Sequence, residues 1–108
     1  MSTELFKEPK NLAEFQKLIN ENELVVVDFH ASWCGPCKLI APKLKKFAEE
    51  HTNIVFAKVD VDDVADVAAE YAIRAMPTLL YFKNGAKVDE VVGANVANIE
   101  AKIKTLGA

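Results

Sequence analysis

The chain contains two cysteines, Cys34 and Cys37, three positions apart in the stretch "ASWCGPCKLIAP", residues 31–42. Thiols at this spacing can hold a metal, clip a short loop, or exchange electrons by opening and closing a disulfide. A structural zinc site takes four ligands, and one C-x-x-C supplies only two. His30 is the one nearby addition and reads as a strand-end surface residue, while His51 falls at the far end of the following helix. No metal site is expected. A clip across so small a loop would contribute little. A chain of 108 residues that is 51% hydrophobic has enough apolar material for a core without it. Redox exchange is the use that best suits the pair.

The flanking elements support that chemistry. "ELVVVDFHA", residues 23–31, carries apolar residues at both alternating sets of positions, as a central strand covered on both faces does. "CGPCKLIAPKLKKFAEEH", residues 34–51, then places Ile40, Leu44, Phe47 and Ala48 at helical spacing. The cysteines therefore fall where a strand ends and a helix begins, at the carboxyl edge of the sheet. Unpaired N–H groups and the positive end of the helix dipole favour an anion there, and a thiolate is one. Such surroundings bring a cysteine from a pKa near 8.5 down to about 3.5–7.5. Gly35 relieves crowding at the turn, and Pro36 suits a first helical turn because its N–H is not needed.

The remaining elements can be read in outline. Asn11 and Glu14 form a capping-box pattern ahead of a helix with Leu12, Phe15, Leu18 and Ile19 on one face. "NIVFAKVDV" is a second apolar strand, followed by a short helix capped by Asp62 or Asp63 and presenting Val64, Val67, Ala68 and Tyr71. "PTLLYF" and "KVDEVVG" flank "KNGA", an Asn-Gly hairpin signal. Val96, Ile99, Ile103 and Leu106 mark a closing helix, and a short first strand is expected at 4–7. Strands alternating with helices, then a hairpin and a last helix, predict a mixed sheet with helices on both faces in a single domain over 1–108.

A formal charge of −3 with scattered lysines argues against nucleic-acid binding. No run approaches the ~20 apolar residues of a membrane span, and "MSTELFKEPKN" has no apolar signal region. A soluble, cytoplasmic protein is expected, with no membrane partner.

"VVVDFHASWCGPCKLIAP", "AMPTLLYFKNG" and "VVGAN" together resemble the thioredoxin family, in matching order and spacing along nearly the whole chain. A bare C-x-x-C near a βαβ pattern is a general sign of such proteins. W-C-G-P-C with Asp28-Phe29 before it and Met76-Pro77-Thr78 some forty residues after it is far more specific. "KVDVDD" and "AMPT" are similar to eukaryotic cytosolic members.

The resemblance implies a thioredoxin fold, with a central five-stranded mixed sheet flanked by four helices. It also implies a monomeric protein-disulfide reductase of the cytoplasm, with nuclear entry left open. No cofactor would be bound, and NADPH would be used indirectly through thioredoxin reductase. Its partners would be that reductase and disulfide-containing proteins. By residue, Cys34 would be the attacking thiolate and Cys37 the resolving thiol, with Gly35 and Pro36 tuning the redox potential. Pro77 would be cis, which only X-Pro bonds readily tolerate, and would leave the backbone of Met76 to pair with an extended substrate. Gly93 and Ala94 match the small residues beside the substrate groove. Trp33 would form an apolar platform at the motif, with Asp62 accepting from its indole N–H. His30 and Ala75 depart from the residues many relatives carry.

Resolution by Cys37 needs a proton acceptor. Asp28 is the candidate, because its strand runs beneath the motif and is otherwise apolar, and Lys58 on the neighbouring strand would ease burial of its charge. A rival class of function is a binding module that uses the surface of Trp33, Pro77 and Gly93 without turnover. Redox exchange predicts that oxidation of the purified chain lowers its mass by about two units, as two thiols become one disulfide. Stoichiometric zinc in the reduced protein, without disulfide-reducing activity, would overturn it.

Overall fold

The computed structural model describes residues 5–108. The order of elements is β1 (Phe6–Lys7), α1 (Leu12–Glu21), β2 (Leu24–His30), α2 (Gly35–Glu50), β3 (Val55–Asp60), α3 (Ala65–Glu70), β4 (Thr78–Lys83), β5 (Ala86–Val92) and α4 (Val96–Gly107). The strands form one mixed sheet in the order β1-β3-β2-β4-β5. β1 and β2 run parallel to β3, whereas β4 is antiparallel to both β2 and β5. Position 4, included in the expected first strand, lies outside the described residues.

β2 is central, as its two-sided apolar pattern requires. Val25, Val27 and Phe29 enter a core with Phe15 and Ile19 of α1 and Val67 of α3. Val26 faces the opposite core, with Ile40, Leu44 and Phe47 of α2 and Ile99 and Ile103 of α4. Strand alternation assigns Asp28 and His30 to the Val26 face. Phe15 is fully buried and meets Phe29, Phe82 and Tyr71 at ring-centroid distances of 6.3, 5.7 and 5.3 Å. Burying such a side chain contributes roughly 2–3 kcal/mol, which fixes α1 to the sheet.

Local signals at the element ends are mostly those expected. Asn11 Oδ1 accepts from the Glu14 N–H at 2.9 Å, while Glu14 reaches back to the Lys10 N–H, one residue before the reciprocal partner of a standard capping box. The expected cap of α3 is corrected. Val64 is its N-cap and no side chain caps it. Asp60 instead accepts from the N–H groups of Asp62 and Asp63, folding the β3–α3 loop over its own carboxylate. Asp66 accepts from the Leu12 N–H at 2.8 Å, tying α3 to the start of α1.

The hairpin turn places Asn84 and Gly85 at φ of 52° and 83°, the positive values that a tight two-residue turn demands. A Cβ on Gly85 would collide with Asn20 Oδ1. Gly85→Ala should therefore destabilise the protein by roughly 1–3 kcal/mol, seen as a lower urea midpoint with an unchanged m-value. An unchanged midpoint would show that the turn relaxes at no cost.

Candidate active site

One peptide N–H at the start of α2, that of Cys37, is aimed at the Cys34 sulfur. Cys34 is the N-cap, and its Sγ accepts from the Cys37 N–H at 3.1 Å. Pro36 occupies the first turn, where its missing N–H leaves no carbonyl unserved. The two cysteines are joined by a disulfide with a Cα–Cα separation of 5.3 Å, so the site is in its oxidised form. Their exposures, 4% and 6%, do not distinguish an outer thiol from an inner one. What separates them is position: Cys34 Sγ takes the helix N–H, whereas Cys37 lies one turn into the helix. Ala31, Val61 and Met76 pack against the pair, and Val61 had no signal in the sequence beyond its place at a strand end.

Of the other predicted residues, Met76 packs against the cysteines, and Asp28 and Lys58 share a cleft with Cys37. The Met76–Pro77 bond is cis. Pro77 is buried, and its carbonyl accepts from the Gly93 N–H at 2.8 Å, which joins the two segments expected to border a groove. Gly93 sits at φ 101°, and a Cβ there would meet nothing, so its backbone conformation is the reason for glycine at that position. Ala94 is exposed. Trp33 is 66% exposed, with its indole N–H donating to Asp62 Oδ2 at 3.0 Å, the partner expected for it.

Asp28 and Cys37 line one cleft of about 230 Å³, together with His30, Lys38, Ala41 and Lys58. A second and more apolar cleft, of about 420 Å³, reaches Asp28 and Lys58 from the side of Phe6 and Leu44. Among the described residues, Asp28 Oδ1 is buried without a hydrogen-bond partner. Loss of water raises the Asp28 pKa from 3.8 to about 7, against the opposing field of Lys58. Lys58 is the register partner of Asp28 across β2 and β3. No ion pair within 4.0 Å joins them among the described residues, so Lys58 acts on the carboxylate through its field.

His30 differs from its expected place as a surface residue. It is half-buried in the cleft wall, two residues along β2 from Asp28 and opposite Asp60. No three histidine, cysteine or carboxylate side chains among the described residues are grouped so as to hold a metal.

A redox-active cysteine pair at the mouth of a helix, on the carboxyl edge of a five-stranded mixed sheet, defines a thiol-disulfide oxidoreductase. The Thioredoxin family profile matches residues 7–105. The chain is 53% identical over 94 residues to thioredoxin-1 of Saccharomyces cerevisiae, covering 87% of this chain and 91% of that one. It is 49% identical over 104 residues to thioredoxin of Equus caballus, covering 94% and 99%. Among solved structures, the oxidised mitochondrial thioredoxin 3 of S. cerevisiae matches with a TM-score of 0.91 at 40% identity, covering 94% of this chain and 95% of that one. Fasciola hepatica thioredoxin matches with a TM-score of 0.91 at 45% identity, covering 94% and 99%. The chain belongs to the thioredoxin family.

Burial of Asp28 has a measurable consequence for stability. The folded state holds the proton up to a pH of about 7, while the unfolded chain releases it near 3.8. The penalty is therefore absent below the unfolded value, grows as pH rises between the two, and is complete above the folded one. It amounts to about 4 kcal/mol at most. Asp28→Asn should stabilise the protein by several-fold more free energy at pH 8 than at pH 4 in urea unfolding. A stability difference that is the same at both pH values would mean that the carboxylate is solvated.

Proposed function

We propose that the protein reduces disulfides in other proteins through Cys34 and Cys37 and is recharged by thioredoxin reductase at the expense of NADPH. The observation that carries this proposal is the hydrogen bond from the Cys37 N–H to Cys34 Sγ, which favours thiolate at Cys34 over Cys37. In the reduced protein, the Cys34 thiolate attacks one sulfur of a substrate disulfide. A mixed disulfide forms, and the other substrate sulfur leaves as thiolate. Cys37 then loses its proton to Asp28 and attacks Cys34 Sγ, so that the second substrate sulfur departs and the Cys34–Cys37 disulfide closes. Two electrons pass to the substrate, and thioredoxin reductase returns them.

Asp28 is suited to accept the proton because it shares a cleft with Cys37 and has a pKa of about 7. Lys58, opposite it in register, limits how far that pKa rises. Gly35 and Pro36 set the geometry of the turn and, with it, the redox potential. Substrate segments would lie against Trp33, Met76, Pro77, Gly93 and Ala94. Support comes from the exposed indole and from the Met76 backbone, which takes part in no hydrogen bond among the described residues outside the strands. The whole of 1–108 acts as one monomeric domain, in the cytoplasm and, where nuclear entry occurs, in the nucleus. No described helix is long and apolar enough to cross a membrane.

The two cysteines should behave differently when substituted. Cys37→Ser keeps the attacking thiolate and loses resolution, so it should accumulate mixed disulfides with protein substrates, visible on non-reducing gels. Cys34→Ser should accumulate none. Equal trapping by both variants would overturn the assignment of roles.

A further inference from the structure

Asp28 holds a proton up to a pH of about 7, and it can take the proton of Cys37 only after its own has left. Asp28 and His30 of β2 stand opposite Lys58 and Asp60 of β3, so four ionisable residues form a two-by-two array on one face of the sheet. His30 lines the cleft that holds Asp28 and Cys37, and it also lines an outer cleft of about 400 Å³ with Glu8, Asp60 and Asp63. The two clefts meet at His30 and Lys58. Lysine is cationic and cannot accept a proton, which leaves His30 as the titratable group shared by both spaces. The alternative exit, through the larger cleft on the other side of Asp28, runs past Leu5, Phe6 and Leu44 and reaches Glu8 and Lys45.

We propose that His30 relays the proton from Asp28 to solvent, between the cleft of the dithiol and the outer acidic cleft. The step presupposes Asp28 as the acceptor of the Cys37 proton. The Asp28 carboxylic acid transfers its proton to the unprotonated ring nitrogen of neutral His30, directly or through one water. The imidazolium then releases its other proton into the outer cleft, and the ring returns to neutral. Burial lowers the His30 pKa from 6.5, which keeps the ring available as an acceptor near neutral pH. Asp60, Glu8 and Asp63 oppose that shift and stabilise the transient imidazolium, whereas Lys58 favours its discharge. Lys38 of α2 faces the inner cleft and Lys10 the outer one.

The test is single-turnover oxidation of the reduced protein by dithiobis(nitrobenzoate). Attack by Cys34 releases the first coloured thiolate and resolution by Cys37 the second, so the two steps are read separately. His30→Gln should leave the first phase unchanged and slow the second roughly tenfold at pH 6, where Asp28 starts mostly protonated and must discharge before Cys37 can be deprotonated. That is less than the ~10²-fold expected for loss of the acceptor itself, because water reaches the cleft. Added imidazole should restore the second phase, which a merely structural residue would not allow. His30→Phe, which keeps the bulk without the titratable ring, should behave in the same way. A second phase that keeps its rate in both variants, or slows without rescue by imidazole, overturns the relay. Asp28→Asn separates this from failure of the acceptor. If Asp28→Asn slows the second phase and the His30 variants do not, the relay alone falls. If Asp28→Asn leaves the second phase unchanged, the acceptor role falls, and the relay with it.

Discussion

The site depends on a carboxyl group placed where the sheet would otherwise be apolar. Asp28 lies on the face of β2 that carries Val26, above the core formed by α2 and α4, with Oδ1 sealed from water and unpartnered among the described residues. A leucine there would be more stable near neutral pH, since the buried carboxylate opposes folding by up to about 4 kcal/mol. The surrounding core must carry that cost. Interdigitated side chains on both faces of β2 do so, with Val25, Val26, Val27 and Phe29 all buried. The same rigidity holds Asp28 beneath Cys37, because β2 runs directly into the turn that starts α2.

The dithiol end of the site follows a different logic. Its anion is stabilised by N–H groups that any helix leaves unpaired at its start, and the Cys37 N–H to Cys34 Sγ bond is the visible instance. One end of the pair thus meets a helix N–H, and the other shares a cleft with a carboxyl group of the sheet. The rim around the disulfide is assembled from separate parts of the chain. Met76 and Pro77 precede β4, Gly93 follows β5, and Trp33 is held by Asp62 of the β3–α3 loop. The helices and strands between these segments therefore position the rim as much as the cysteines.

Much of this was legible in the sequence because the relevant residues break a pattern. Asp28 interrupts an apolar strand, and Asn84-Gly85 interrupts two alternating ones, so each announces itself by composition. The placement of the cysteines at a strand-to-helix junction followed from periodicity alone. The cap of α3 was misread because Asp60, Asp62, Asp63 and Asp66 are equivalent by type. Tertiary contacts decide among them: Asp66 bonds to α1, and Asp60 closes its own loop. The strand-end place of His30 was legible, but its half-burial in the cleft wall was not. Its i, i+2 spacing from Asp28 was visible, while its neighbours depend on register with β3, which brings Asp60 opposite it. Register is a property of two strands and cannot be read from one.

The central claim, that desolvation of Asp28 keeps it protonated up to neutral pH, can be tested directly by following its carboxyl carbon with ¹³C NMR through a pH titration of the oxidised protein. The account predicts a midpoint near 7, displaced upward when Lys58 is replaced by leucine. A midpoint near 3.8, unmoved by that replacement, would contradict it.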